Sequence, residues 1–157
     1  MVNLRGRSMR LSLVLVAFLA LLILWNPSNS PRAAAKVTDP PSVTKNLPGN
    51  WTLTVNFVNS AMPPGSSQVQ FQRWGGFVNQ TPGPGRGFWW VTGQGTFSYA
   101  FIERIYSGNT LLYYVSVFQR AKLTSDTTYT ASGTGTVYTP GWKRIATDQT
   151  TTVATKG

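Results

Sequence analysis

From Gly49 onward apolar and polar residues alternate with period two, broken at intervals by clusters of Gly, Pro, Asn and Ser, and no window supports a helical period. The first run is the clearest. Over Asn50 to Val58, Trp51, Leu53, Val55 and Phe57 alternate with Asn50, Thr52, Thr54 and Asn56, which predicts a strand with one buried and one wet face. Met62-Pro63-Pro64-Gly65 turns the chain, and Gln68 to Trp74 reads as a second strand with Val69 and Phe71 on the side shared by Arg73. Gly75-Gly76 ends or bulges it, and Phe77 to Gln80 leaves room for a further short strand. Thr81-Pro82-Gly83-Pro84-Gly85 is expected as an exposed loop, because Pro lacks the backbone donor and Gly loses the most entropy on ordering. Gly87 to Thr92 follows as a strand. Thr96 to Tyr106 and Leu111 to Lys122, joined by Ser107-Gly108-Asn109, predict the strongest hairpin. Thr127 to Tyr138 and Arg144 to Thr155 complete seven strands, or eight with Phe77 to Gln80. Ala131, Gly133 and Gly135 on one face let the sheet curl tightly, and closure removes the edges that Thr- and Val-rich strands would expose. The expected fold class is all-β, a single antiparallel up-and-down barrel.

Residues before Gly49 follow another pattern. Arg5, Arg7 and Arg10 precede an apolar run from Leu11 to Trp25, interrupted only by Ser12, then a polar stretch ends in Ala33-Ala34-Ala35. This is the layout of a secretory signal peptide over residues 1–35: the apolar run is shorter than the ~20 residues of a spanning helix, and Ala33 and Ala35 suit signal peptidase. Cleavage after Ala35 predicts a secreted protein, extracellular or periplasmic. The alternative keeps the segment as an uncleaved membrane anchor. Residues 36–48, with Pro40, Pro41 and Pro48, read as an extended tether, so that residues 49–157 hold the single domain.

Composition narrows the chemistry. The 157 residues include no His and no Cys, which removes Ser-His-Asp and Cys-His nucleophiles, imidazole or thiolate zinc sites and disulfides. Asp39, Asp126 and Asp148 sit in separate segments, too scattered for an oxygen-ligand metal site, and no cofactor is expected. The formal charge is +10; loss of residues 1–35 removes four Arg and no acid and leaves +6 over 122 residues. Such a surface would attract an anionic envelope, polysaccharide or nucleic acid through an unspecific, salt-sensitive field, or is simply that of a soluble basic protein. Gly83, Gly85, Gly87, Gly93 and Gly95 are turn glycines without the strand-loop-helix context of a nucleotide cradle. Nucleic acid is disfavoured as a partner by secretion and by a long meander in place of a five-stranded OB pattern. Asn50-Trp51-Thr52 and Asn79-Gln80-Thr81 fit the glycosylation sequon.

Gly49-Asn50-Trp51, at the head of the first strand and just after a tether, resembles the Gly-x-Trp signature of lipocalins and the wider calycin superfamily. The secretory layout and meander are similar too, and the segments Gly85 to Tyr106 and Thr127 to Gly157 resemble uncharacterised secreted bacterial barrels. The resemblance implies an eight-stranded barrel in which Trp51 closes one end and a cation packs across it, matched by Arg144 or replaced by Lys156. The second lipocalin motif is blurred into Thr124-Ser125-Asp126-Thr127-Thr128-Tyr129, and there is no Cys pair. The dirigent and allene oxide cyclase barrels are similar in size and strand count, with no motif of theirs in this chain.

Glu103 shares strand parity with Phe97, Tyr99, Phe101 and Ile105, which places a carboxyl among interior aromatics. Desolvating such a charge costs several kcal/mol, so it should be paired, hydrogen-bonded or protonated. Arg73, in phase with Val69 and Phe71, and Arg120, in phase with Tyr114 and Phe118, are the candidate partners. A pocket set by Phe97, Tyr99, Phe101, Tyr114 and Phe118, with Glu103 and an Arg as polar anchor, would bind a small apolar or amphipathic molecule. The alternatives are a cyclase or isomerase in which Glu103 or a Tyr moves a proton, and a solid structural barrel whose Glu103 sits in an ion pair or returns to solvent at a bulge. Trp89 and Trp90 must point to opposite faces of their strand, so one of them, beside Arg86, marks a binding rim, an oligomer contact or simple packing.

Overall fold

The computed structural model describes residues 39–157. They form one helical turn, α1 (Val43–Asn46), and eight strands: β1 (Gly49–Phe57), β2 (Gly65–Phe71), β3 (Gly76–Thr81), β4 (Gly85–Gly93), β5 (Thr96–Ser107), β6 (Thr110–Leu123), β7 (Thr128–Tyr138) and β8 (Arg144–Lys156). Each strand pairs antiparallel with the next, and β1 closes on β8, with Leu53 opposite Ala154 and Val55 opposite Thr152. The all-β, up-and-down barrel is therefore as expected, and the strand count is eight because β3 pairs with both β2 and β4. The signal segment lies outside the described residues. Among the described residues no helix is long and apolar enough to cross a membrane.

The inner residues of β1 fill one end of the barrel as their period-two pattern requires. Trp51 packs edge-to-face on Phe71 at 6.4 Å and tilted on Tyr129 at 5.0 Å, and Phe71 in turn meets Phe97 at 5.8 Å and Tyr99 at 5.5 Å. Edge-to-face rings add to their area burial by setting positive edges against negative faces. This end is solid, and α1 lies over it.

Residues 36–48 are not an extended tether throughout. Val43 and Leu47 are buried with Trp51, and the Trp51 indole Nε1 donates to the Leu47 carbonyl oxygen at 2.7 Å. The turn forms because Pro40 and Pro41 precede it and two apolar residues four apart fall on one helical face. The loop expected to be exposed at 81–85 also folds inward at its centre, where Gly83 and Gly85 are buried.

The β5–β6 hairpin decides which side chains face inward. Ser107 pairs with Thr110 and Tyr106 with Leu111, but Ile105 pairs with Tyr113, so Leu112 is one residue extra on β6. Beyond this bulge Glu103 faces Val115 and Tyr99 faces Gln119. An unbroken hairpin would have set Glu103 opposite Tyr114 and Tyr99 opposite Phe118. Because side chains alternate with period two, one inserted residue exchanges the two faces of the whole strand.

Candidate functional site

The half of the barrel opposite Trp51 is not filled by side chains. It encloses a cavity of about 170 Å³, walled by Leu53, Val55, Phe57, Phe101, Val115 and Val117. Deeper positions are taken by Tyr99, Gln119, Thr150 and Thr152, and Asn79, Pro82 and Glu103 stand toward the mouth. Gly135 contributes no side chain, and a Cβ built on it meets nothing within 4 Å. The other depressions, along Arg120 and Thr130 and around Arg86 and Trp142, are broader, more open grooves of the outer wall.

Glu103 is inward and 9% exposed, as its parity predicts. Its Oε1 accepts the Gly83 backbone N–H at 2.8 Å, and the Asn79 amide Nδ2 donates to the Gly83 carbonyl oxygen at 2.8 Å. Loop 82–84 is thereby fastened across the wall, helped by the Arg104 N–H donating to the Pro84 carbonyl at 3.1 Å. Gly83 is required there, since a Cβ would come within 2.8 Å of Glu103 Oε1 and 2.7 Å of the Arg104 carbonyl oxygen. Burial pushes the Glu103 carboxyl above the ordinary glutamate value, and hydrogen bonds from Gly83 and Asn79 offset this in part.

Neither candidate partner, Arg73 or Arg120, pairs with Glu103. β2 ends at Phe71 because Gln72 to Gly76 make a tight turn, with the Gln72 N–H donating to the Gly76 carbonyl at 2.8 Å, so Arg73 is exposed at the Trp51 end. Arg120 lies on the outer wall over the Phe118 ring at 5.7 Å. The bulge at Leu112 turns Tyr114 and Phe118 outward as well: Tyr114 stacks on Trp142 at 4.4 Å, and Phe118 meets Trp90 at 6.2 Å. Phe97 and Tyr99 are buried, with Phe97 in the solid end and Tyr99 and Phe101 in the cavity wall. Trp89 faces inward and Trp90 outward.

The cation over Trp51 is Lys156. Its Nζ lies 5.7 Å from the Trp51 ring centroid and donates to the Asn46 carbonyl, while Arg144 is exposed at the start of β8, at the other end. The register alone decides this, because Trp51 pairs with Lys156.

Residues without a distinguishing sequence pattern complete the cavity. Asn79, Gln119 and Thr152 are each 2% exposed, and Asn79 Oδ1, Gln119 Oε1 and Thr152 Oγ1 have no hydrogen-bond partner among the described residues. Buried polar atoms are paired in the great majority of cases, so three such atoms around one cavity single it out. Gln119 Nε2 is committed to Thr150 Oγ1 at 2.6 Å. The Tyr99 phenol is pushed up to about 12 by burial, so it stays protonated. The only signal for Asn79 in the sequence is its sequon, and at this burial it accepts no glycan. Among the described residues no cluster of His, Cys, Asp and Glu could hold a metal ion.

No family model matches the sequence, and no curated protein matches it. Among solved structures, the chain is similar to a redesigned beta barrel, with 14% identity and a TM-score of 0.37 over 76% of this chain and 99% of that one.

Proposed function

We propose that this is a secreted, calycin-like barrel that binds one small, mostly apolar molecule in the open half of its interior, without catalysing a reaction. The observation that carries the reading is the 170 Å³ cavity with an apolar wall and three buried, unpartnered polar atoms. A purely structural barrel gains by filling this space, since interiors pack as densely as organic crystals and an unpaired buried polar atom costs about 1–3 kcal/mol. Trp51 at the closed end, with Lys156 across it, supports the calycin resemblance. The size narrows the ligand. Drug-sized pockets run from about 300 Å³ upward, whereas an apolar cavity of about 150 Å³ accepts benzene. The proposed ligand is thus a single ring or a short chain.

Secretion rests on the layout of residues 1–35, and an anionic envelope as outer partner rests on the +6 charge of residues 36–157. Two measurements test the binding reading: native mass spectrometry of protein purified without denaturation, and titration with toluene followed by the methyl resonances of Val115 and Val117. A small adduct released on unfolding, or saturable shifts at those methyls, is expected. Bare protein that also shows no saturable shift overturns it.

A further inference from the structure

Resting on the binding reading above, we infer that the ligand is an organic ammonium: a small apolar body carrying a primary amine, held at the mouth of the cavity by Glu103 and Asn79. Among the described residues no Lys or Arg meets the buried carboxyl. Arg86 and Arg104, the charged residues nearest in register, line the outer groove beside Trp142. Arg73 and Arg120 are at the closed end and on the outer wall. The inward neighbours of Glu103 are Gly85 and Val115 on the paired strands and Asn79 and Gly83 at the loop, all uncharged. A carboxylate this buried is best satisfied by a counter-charge with hydrogen bonds, which no described side chain supplies and a cationic ligand would.

Two of the three unpartnered atoms at the cavity are pure acceptors, and the third, Thr152 Oγ1, can accept as well as donate. Asn79 offers an acceptor, because its Nδ2 faces the Gly83 carbonyl, which only accepts, and this fixes Oδ1 as the free atom. Gln119, also in the cavity lining, likewise has Oε1 left without a partner, with its Nε2 on Thr150. A site with two free amide oxygens and a carboxyl calls for donors. An ammonium supplies three donors and the missing charge, whereas a carboxylate or phosphate ligand would place acceptors against acceptors. Burial pushes the free Glu103 carboxyl upward, so ammonium binding releases a proton wherever that carboxyl is still protonated in the free protein.

The test compares benzylamine with ethylbenzene, which has the same shape and neither charge nor donor, in wild type and Glu103→Gln at pH 7. Glutamine keeps the oxygen that accepts the Gly83 N–H. Benzylamine should bind wild type about 10- to 100-fold more tightly than ethylbenzene. Glu103→Gln should lose that advantage while still binding ethylbenzene, which also shows that the variant is folded. Wild-type affinity for benzylamine should fall as pH drops through the free Glu103 titration. Equal affinity for both probes, or an advantage that survives Glu103→Gln, overturns the amine assignment and leaves the apolar-ligand reading standing. Binding of neither probe overturns both.

Discussion

Lys156 lies over Trp51, its Nζ 5.7 Å from the ring centroid, and joins the strand that closes the barrel to the residue that plugs it. The same ammonium donates to the Asn46 carbonyl at the end of α1, so one side chain ties β1, β8 and the capping turn together. Trp51→Ala should cost about 3–5 kcal/mol in urea denaturation, through lost ring packing and the cavity left behind. Lys156→Met keeps the aliphatic stem and should cost about 1 kcal/mol. If the Lys156 substitution were as damaging as that at Trp51, the cation rather than the indole would be holding the end closed.

The pH dependence of stability carries the signature of Glu103. Its folded-state carboxyl titrates above the ordinary 4.5 because burial disfavours the charge. Between the unfolded and folded values the native state holds more protons, so stability falls as pH rises through that window and is greatest below it. Thermal unfolding from pH 4 to 7 should show this decline in wild type, and Glu103→Gln should remove that contribution. A wild-type minus variant difference that rises with pH would contradict a buried, unpaired carboxyl.

Two glycines on the inner face of β7 should respond in opposite ways. A Cβ on Gly133 would collide with the Phe118 carbonyl oxygen, so Gly133→Ala must displace backbone and should destabilise by about 1–3 kcal/mol or more. At Gly135 a Cβ meets nothing within 4 Å and points into the cavity. Gly135→Val should raise stability by about 0.5–1 kcal/mol, through better strand propensity, and abolish toluene binding. Retained binding in a folded Gly135→Val protein would move the ligand out of this cavity.

The outward turn of β6 is tested by paired phenylalanines. Phe97→Ala removes a ring that is fully buried and should cost about 3–5 kcal/mol, whereas Phe118→Ala trims an outer-wall ring and should stay within about 1 kcal/mol. Similar losses at both positions in denaturant titration would put Phe118 in the interior, as an unbroken hairpin requires.

Much of this architecture is legible along the chain, because a strand with one dry face writes its burial into alternate residues. Trp51, Leu53, Phe71, Phe97, Tyr99 and Glu103 all face inward as their parity predicts. Failures occur where the pattern depends on pairing. Tyr114 and Phe118 are apolar, in phase with each other and long enough to fill a core, and nothing near them in sequence reports the extra residue at Leu112. Val43 and Leu47 look like stray apolar residues in a Pro-rich lead because their packing surface, Trp51 and its neighbours, exists only once the barrel closes.

The residues alone determined an all-β meander, the chemistry excluded by the absence of His and Cys, an inward Trp51 and an inward carboxyl at Glu103. Those features come from side-chain size, polarity and alternation, which are local quantities. Tertiary structure decided that Lys156 and not Arg144 covers Trp51, that neither Arg73 nor Arg120 reaches Glu103, that loop 82–84 folds inward, and that Asn79, Gln119 and Thr152 share one cavity. Each of these is a matter of register between strands far apart in the chain, and a single bulge resets register without leaving a mark on the residues it moves.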